Sequence, residues 1–207
     1  GCTMCCPFCH NPELATGKIN ERITEETVID FMKKRKSKLD ALAITGGEPT
    51  LHKDLVPFIK KVKKLGFKIK LDTYGLNPNR VREILKEEVV DYWAMDVKGD
   101  YKLYSKCNYR DKCLDPIQES IDLLKEYAPD YELRTTFVNH KYWHNEKVAK
   151  RILSRVQGAK NYYIQNFRPG KVMSEELNNK RYSFSEEELK DFATLFKNKV
   201  EYVGIRM

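Results

Sequence analysis

The sequence predicts an α/β protein in which parallel strands alternate with covering helices, and three observations carry that prediction. A strand-then-helix rhythm of apolar periods and turn residues runs from residue 24 to the end. Gly46-Gly47-Glu48, Asp72-Thr73, Asp96 with Lys98, and Gln165 all fall where a strand ends and its loop begins. In a barrel those ends share one rim, where such a fold keeps its chemistry. Finally, 207 residues, 41% hydrophobic and 33% charged, suffice for one core and one domain, 1–207, and exclude wholesale disorder. Handedness alone leaves a doubly wound sheet and a barrel both open.

The elements follow in order. Thr24-Glu25-Glu26-Thr27 is a capping-box-like helix start, leading through Val28, Ile29, Phe31 and Met32 into a basic run. Residues 41–45 read as a short buried strand stopped by Gly46-Gly47. Leu55, Phe58, Ile59 and Val62 then line one helical face, with Gly66 capping its end. A strand over 67–72 precedes a turn at 75–78 and a helix over 79–88. The strand at 92–97 gives way to an irregular segment, 98–114, where periodicity disappears. Pro116 in a first turn opens a helix toward Tyr127. Residues 131–137 read as a strand, 144–156 as a helix and 161–167 as a strand. Ser185-Glu186-Glu187-Glu188 is a second capping-box start, and 200–205 a final apolar strand. The domain thus divides into a cysteine loop at 1–14, a βα core at 24–170 and a C-terminal helix and strand at 185–207.

Lys and Arg number 38 against 30 Asp and Glu, a net charge of +8, with much of the excess in Lys33-Lys34-Arg35-Lys36 and between Lys60 and Lys70. These read as solvated helix ends, and such a surface could also steer an acidic protein or a nucleic acid. No aromatic RNA-binding signature accompanies it, which leaves nucleic acid the weaker reading. No apolar stretch approaches the roughly 20 residues of a membrane span, and the opening residues are neither a secretory nor a transit peptide. A cytoplasmic protein is expected.

Of six cysteines, four stand at positions 2, 5, 6 and 9, a crowding that points to metal chemistry. Structural zinc pairs two ligand clusters across a spacer, and Cys107 with Cys113 makes a poor second half. Cys2, Cys6 and Cys9 in C-x3-C-x2-C spacing suit an iron–sulfur cubane, whose fourth iron stays open to a substrate. Cys5, beside Cys6, would have to fold back on the same loop and reads as a spectator. Cys107 and Cys113 do not follow a ferredoxin pattern and read as free thiols.

The stretch Cys2-Thr3-Met4-Cys5-Cys6-Pro7-Phe8-Cys9 resembles the cluster loop of radical S-adenosylmethionine (SAM) enzymes. His10-Asn11-Pro12-Glu13-Leu14 narrows the resemblance to activating enzymes of glycyl-radical enzymes, particularly those of anaerobic ribonucleoside-triphosphate reductase. The resemblance continues through residues 44–51, 70–75, 94–98, 133–136 and 165–170. It implies a partial (β/α)6 TIM-like barrel of the radical SAM type, whose usual first strand, ahead of the cysteine loop, is missing here; an N-terminal segment is expected to have been lost.

The resemblance further implies a [4Fe-4S] cluster on Cys2, Cys6 and Cys9, with SAM as the second cofactor. Gly46 and Gly47 would let the backbone approach the methionine part of SAM, and Glu48 would pair with its ammonium. Lys98 would face its carboxylate, and Asp72, Thr73 and Asp96 the ribose or an associated cation. Phe8 would line the adenine site, while Arg134 and Gln165 either face SAM or fill the barrel as a polar pair. Tyr74 stands where the family often carries asparagine, His10 and Asn11 would buttress the loop, and His140, Tyr142, Trp143 and His144 suggest a substrate entrance. The implied reaction is reductive cleavage of SAM to a 5′-deoxyadenosyl radical, which generates a glycyl radical on a partner enzyme. A flavodoxin- or ferredoxin-type protein would supply the electron. Two alternatives remain: a radical SAM enzyme acting on a small molecule such as a deazapurine precursor, and a non-catalytic iron–sulfur or zinc-binding interaction module.

Overall fold

The computed structural model describes residues 1–19, 22–107 and 113–207. Its six strands are β1 (Ala41–Ile44), β2 (Lys68–Thr73), β3 (Tyr92–Asp96), β4 (Tyr131–Phe137), β5 (Asn161–Asn166) and β6 (Tyr202–Arg206). They form one sheet in chain order, every pair parallel. The sheet is not closed, since β1 and β6 do not pair. Together with the eight helices below, it is the partial-barrel α/β fold that the sequence predicts.

The helices are α1 (Pro12–Thr16), α2 (Glu25–Lys34), α3 (Leu55–Lys64), α4 (Pro78–Lys86), α5 (Tyr101–Lys106), α6 (Leu114–Tyr127), α7 (Glu146–Val156) and α8 (Glu186–Phe196). Right-handed crossovers between neighbouring strands place the connecting helices on one face of the sheet. Ile59 and Val62 of α3, Val81 and Ile84 of α4, Ile117, Ile121 and Leu124 of α6, and Ile152 and Val156 of α7 are buried there. Strand residues Ile69, Leu71, Trp93, Met95, Leu133 and Ile164 are buried with them in one core. The alternate strand residues, Lys70, Asp72, Asp96, Glu132 and Arg134, therefore share the opposite face.

Local chemistry accounts for most boundaries. Ser185 and Glu188 complete the expected capping box. At α2 only half of one forms: Thr24 accepts from Thr27 N–H at 3.3 Å, but the third helical residue is a threonine with no carboxylate to reach back. Two helices escape the periodicity because they are shorter than two turns. Helix α1 starts at Pro12 and ends at Gly17. Helix α5 lies in the segment expected to be irregular, where Asp100 caps it by accepting from Lys102 and Leu103 N–H and pairs with Arg151 of α7. Residues 108–112 of that segment lie outside the described residues. No helix among the described residues is long and apolar enough to cross a membrane.

Ile59 is fully buried where α3 meets the sheet, whereas Asp30 and Lys33 form an exposed pair. Ile59→Ala is expected to cost about 2–5 kcal/mol in urea denaturation, and Asp30→Ala less than about 0.5 kcal/mol.

Candidate functional site

The C-terminal ends of β1 to β4 and the cysteine loop enclose a cavity of about 230 Å³. Its wall brings together Cys2, Cys6, Cys9 and Phe8 from the loop, Gly46, Gly47 and Glu48 after β1, Asp72 and Thr73 on β2, Asp96 and Lys98 at the end of β3, and Arg134 on β4. Gln165 is placed elsewhere: its amide donates to Thr136 Oγ1 at 3.3 Å and its carbonyl accepts from Arg206 at 3.4 Å. It fills the barrel as a satisfied polar group.

The cysteine loop has no regular structure before α1, so its backbone groups bond to distant segments. Gly1 carbonyl accepts from Glu48 N–H at 2.8 Å, and Cys5 N–H donates to the Cys107 carbonyl at 3.0 Å. Met173 and Ser174 N–H donate to the carbonyls of Cys9 and Pro7. His10 Nε2 donates to the Arg168 carbonyl at 2.8 Å, which gives that ring the buttressing role expected of it.

The three sulfurs face the cavity, and Cys5 is not in its wall. Met4 N–H donates to Cys2 Sγ and Asn11 N–H to Cys9 Sγ, each at 3.4 Å, as suits thiolates carrying cluster charge. Burial pushes the Cys2 and Cys9 thiols up. A hydrogen bond from the Cys107 thiol holds Cys6 down, to about 7, against its burial. Among the described residues no three His, Cys, Asp or Glu side chains converge closely enough to hold a single metal ion. Three soft thiol donors around one cavity fit an iron–sulfur cluster.

After β1 the chain needs its two glycines for packing. Gly46 has φ +125°, and a Cβ on Gly47 would lie 2.1 Å from the Gly1 carbonyl oxygen. Gly47 thus admits the cysteine loop itself, a close approach that the sequence reading had assigned to a ligand. Glu48 is buried, and its Oε1 accepts from Thr50 N–H, Thr50 Oγ1 and Thr73 Oγ1 while Oε2 accepts from Tyr74 N–H at 2.9 Å. Burial pushes the carboxyl up despite these donors. Thr73 is accordingly committed to Glu48. Tyr74 hydrogen-bonds Thr3 Oγ1 through its hydroxyl at 2.7 Å and so ties the segment after β2 to the cysteine loop.

The facing wall is a ladder of alternating charge. Lys70 pairs with Asp72, which accepts from Arg134 Nη2 at 2.8 Å. Arg134 Nε donates to Asp96 at 2.5 Å, and Lys98 Nζ donates to the other Asp96 oxygen at 2.9 Å. Burial alone would raise the Asp96 carboxyl, but the charges of Lys98 and Arg134 outweigh it and hold it well below the usual carboxylate range. Lys98 and Arg134 thus stand in the cavity wall, each paired with a carboxylate, and Arg134 also lies 3.6 Å from Glu132.

His144 is buried beneath this wall and not at an entrance; helix α7 begins two residues later, capped by Asn145. Its Nδ1 accepts from Val138 N–H at 3.1 Å, so the proton sits on Nε2, which donates to the Lys98 carbonyl at 2.9 Å. Burial pushes its pKa down to about 4. His140 stacks on Trp143 with centroids 4.5 Å apart, and Trp143 lies 6.1 Å from Phe8. Neither His144 nor Cys107 carries a sequence signal for these contacts, which join segments distant along the chain.

A family model for the radical SAM superfamily matches residues 1–152. A protein named as a candidate glycyl-radical enzyme activating enzyme from Methanocaldococcus jannaschii is 35% identical over 213 residues, spanning 100% of this chain and 85% of its own length. A 7-carboxy-7-deazaguanine synthase of Thermococcus kodakarensis is 27% identical over 70% of this chain and 65% of its own. The structure of Streptococcus suis SuiB bound to S-adenosylmethionine shares the fold with a TM-score of 0.69 at 14% identity, covering 100% of this chain and 48% of SuiB.

The neutral His144 makes stability depend on acid. Below the ordinary pKa of 6.5 the unfolded chain gains a proton at this ring that the folded chain refuses until about pH 4. Stability from this group is therefore complete above pH 6.5 and lost as pH falls to 4, by about 3 kcal/mol in all. In urea denaturation between pH 7 and 4, His144→Gln is expected to show a correspondingly shallower loss than wild type.

Proposed function

The chain belongs to the radical SAM superfamily, and on that premise we propose that it activates a glycyl-radical enzyme, with anaerobic ribonucleoside-triphosphate reductase as the partner. The observation that carries the reading is one cavity lined by Cys2, Cys6 and Cys9 together with the paired charges of Asp72, Asp96, Lys98 and Arg134. The full-length similarity to the M. jannaschii protein supports it, as does the resemblance of residues 10–14 to activating enzymes of that reductase.

A [4Fe-4S] cluster and SAM are the cofactors of this family. Bound there, the cluster would supply the one electron for cleaving SAM to methionine and a 5′-deoxyadenosyl radical, which would abstract the Cα hydrogen of the partner's glycine. Cys2, Cys6 and Cys9 would hold three irons and leave the fourth for SAM. Lys98 would neutralise the SAM carboxylate, and Glu48, in the same cavity wall, would accept its ammonium. Asp72 and Asp96, held in position by Arg134, would reach the ribose, and Phe8 would border the adenine. A bound SAM is thus oriented by groups already paired before it arrives, which lowers the ordering cost of reaction. A flavodoxin- or ferredoxin-type donor would supply the electron in the cytoplasm. A second reading, a small-molecule radical SAM enzyme, is favoured by the similarity to the deazaguanine synthase.

The test is anaerobic reconstitution with reductant, SAM and the reductase. A glycyl-radical EPR signal on the reductase, with stoichiometric 5′-deoxyadenosine, is expected; deoxyadenosine without that radical would favour the small-molecule reading. Cys2→Ala, Cys6→Ala and Cys9→Ala are each expected to abolish SAM cleavage, and Cys5→Ala to retain a substantial fraction. Lys98→Ala is expected to weaken SAM binding about tenfold with iron content unchanged, and unaltered affinity would remove its assignment.

A further inference from the structure

Lys98 is gripped by its main chain as well as by its ammonium. Its N–H donates to the Tyr104 hydroxyl at 3.0 Å, and its carbonyl accepts from His144 Nε2 at 2.9 Å. The two partners come from opposite sides. Tyr104 is on α5, pinned by the Asp100 cap and the Arg151 pair, and His144 follows β4, its other nitrogen held by Val138 N–H. Both rings are buried, and the Phe137 ring lies 5.0 Å from that of His144. Gly99 makes the fit possible, since a Cβ there would lie 2.9 Å from Leu103 Cδ2. Residue 97 is fastened too, its N–H to the Arg134 carbonyl and its carbonyl to Thr135 Oγ1 at 2.6 Å.

A lysine on a free loop has four side-chain torsions and a mobile root, so its ammonium samples many positions. Clamping the residue on both sides fixes the Cα–Cβ direction and leaves Asp96 to select the remaining torsions. We propose that His144, with Tyr104, is a positioning residue that sets the affinity for SAM by holding the Lys98 main chain, without touching SAM itself. This rests on Lys98 facing the SAM carboxylate. Filling space in the core would require only the ring's volume; the clamp requires the Nε2 donor.

Side-chain amides separate the two roles. In His144→Gln the amide can still donate to the Lys98 carbonyl, whereas in His144→Asn it can replace Nδ1 for Val138 but falls short of Lys98. In reconstituted holoenzyme, His144→Asn is expected to raise the SAM dissociation constant about tenfold with iron and sulfide content unchanged, and His144→Gln to stay within about twofold of wild type. Hydrogen exchange of the peptide spanning 97–100 is expected to speed up in the Asn variant and not in Gln. Tyr104→Phe, which removes only the acceptor of the Lys98 N–H, is expected to show the same faster exchange and a weaker SAM affinity, and it carries the test if His144→Asn does not fold. Equal losses in Gln and Asn, or wild-type exchange and affinity in Asn and Phe, would overturn the clamp. Wild-type affinity in Lys98→Ala beside faster exchange in His144→Asn would instead overturn the SAM contact of Lys98 while upholding the clamp on its main chain.

Discussion

Arg134 is the tie on which the cavity depends. Parallel register sets it opposite Asp96, with Asp72 one strand further along. Its guanidinium donates to both carboxylates from a site largely shielded from water. Without it two carboxylates would face each other at low dielectric, a rupture worth about 3–5 kcal/mol in buried pairs. With it, Lys70 and Lys98 close the ladder at either end, each on one of the two aspartates. The field that the three sulfurs face is thus a property of three neighbouring strands.

The opposite wall obeys a different constraint. The cysteine loop is held by buried Met4 and Phe8 and by backbone partners from Glu48, Cys107, Met173 and Ser174, segments scattered along the chain. The absent side chain of Gly47 is as important as any contact, because the loop passes where a Cβ would stand. The thiol trio is therefore placed by segments far along the chain.

The chain's overall charge describes neither wall. Residues 33–68 hold eleven Lys and Arg against three Asp and Glu, which equals the whole net excess of +8. Most of these cations stand toward the C-terminal ends of α2 and α3, where they complement the helix dipoles and pair with Glu25, Glu87 and Asp91. Those ends lie at the N-terminal edge of the sheet, away from the cavity. The local order of charges on β2 to β4 decides the chemistry there.

Period and punctuation were enough to read all six strands and the longer helices, because apolar alternation and caps such as Ser185 act within a few residues. The cysteine spacing, the Gly46-Gly47-Glu48 turn and the strand-end positions of Asp72, Asp96 and Lys98 were legible for the same reason. Helices α1 and α5 were not, being too short to show a period. A strand-end position does not say which neighbours a side chain meets, and Gln165 meets Thr136 and Arg206. The sequence by itself determined the elements, their order and the types of donor available. Only the tertiary structure decided that Thr73 serves Glu48, that Arg134 joins two aspartates and that His144 holds Lys98, because each is a contact between strands or loops distant in sequence, set by register and burial.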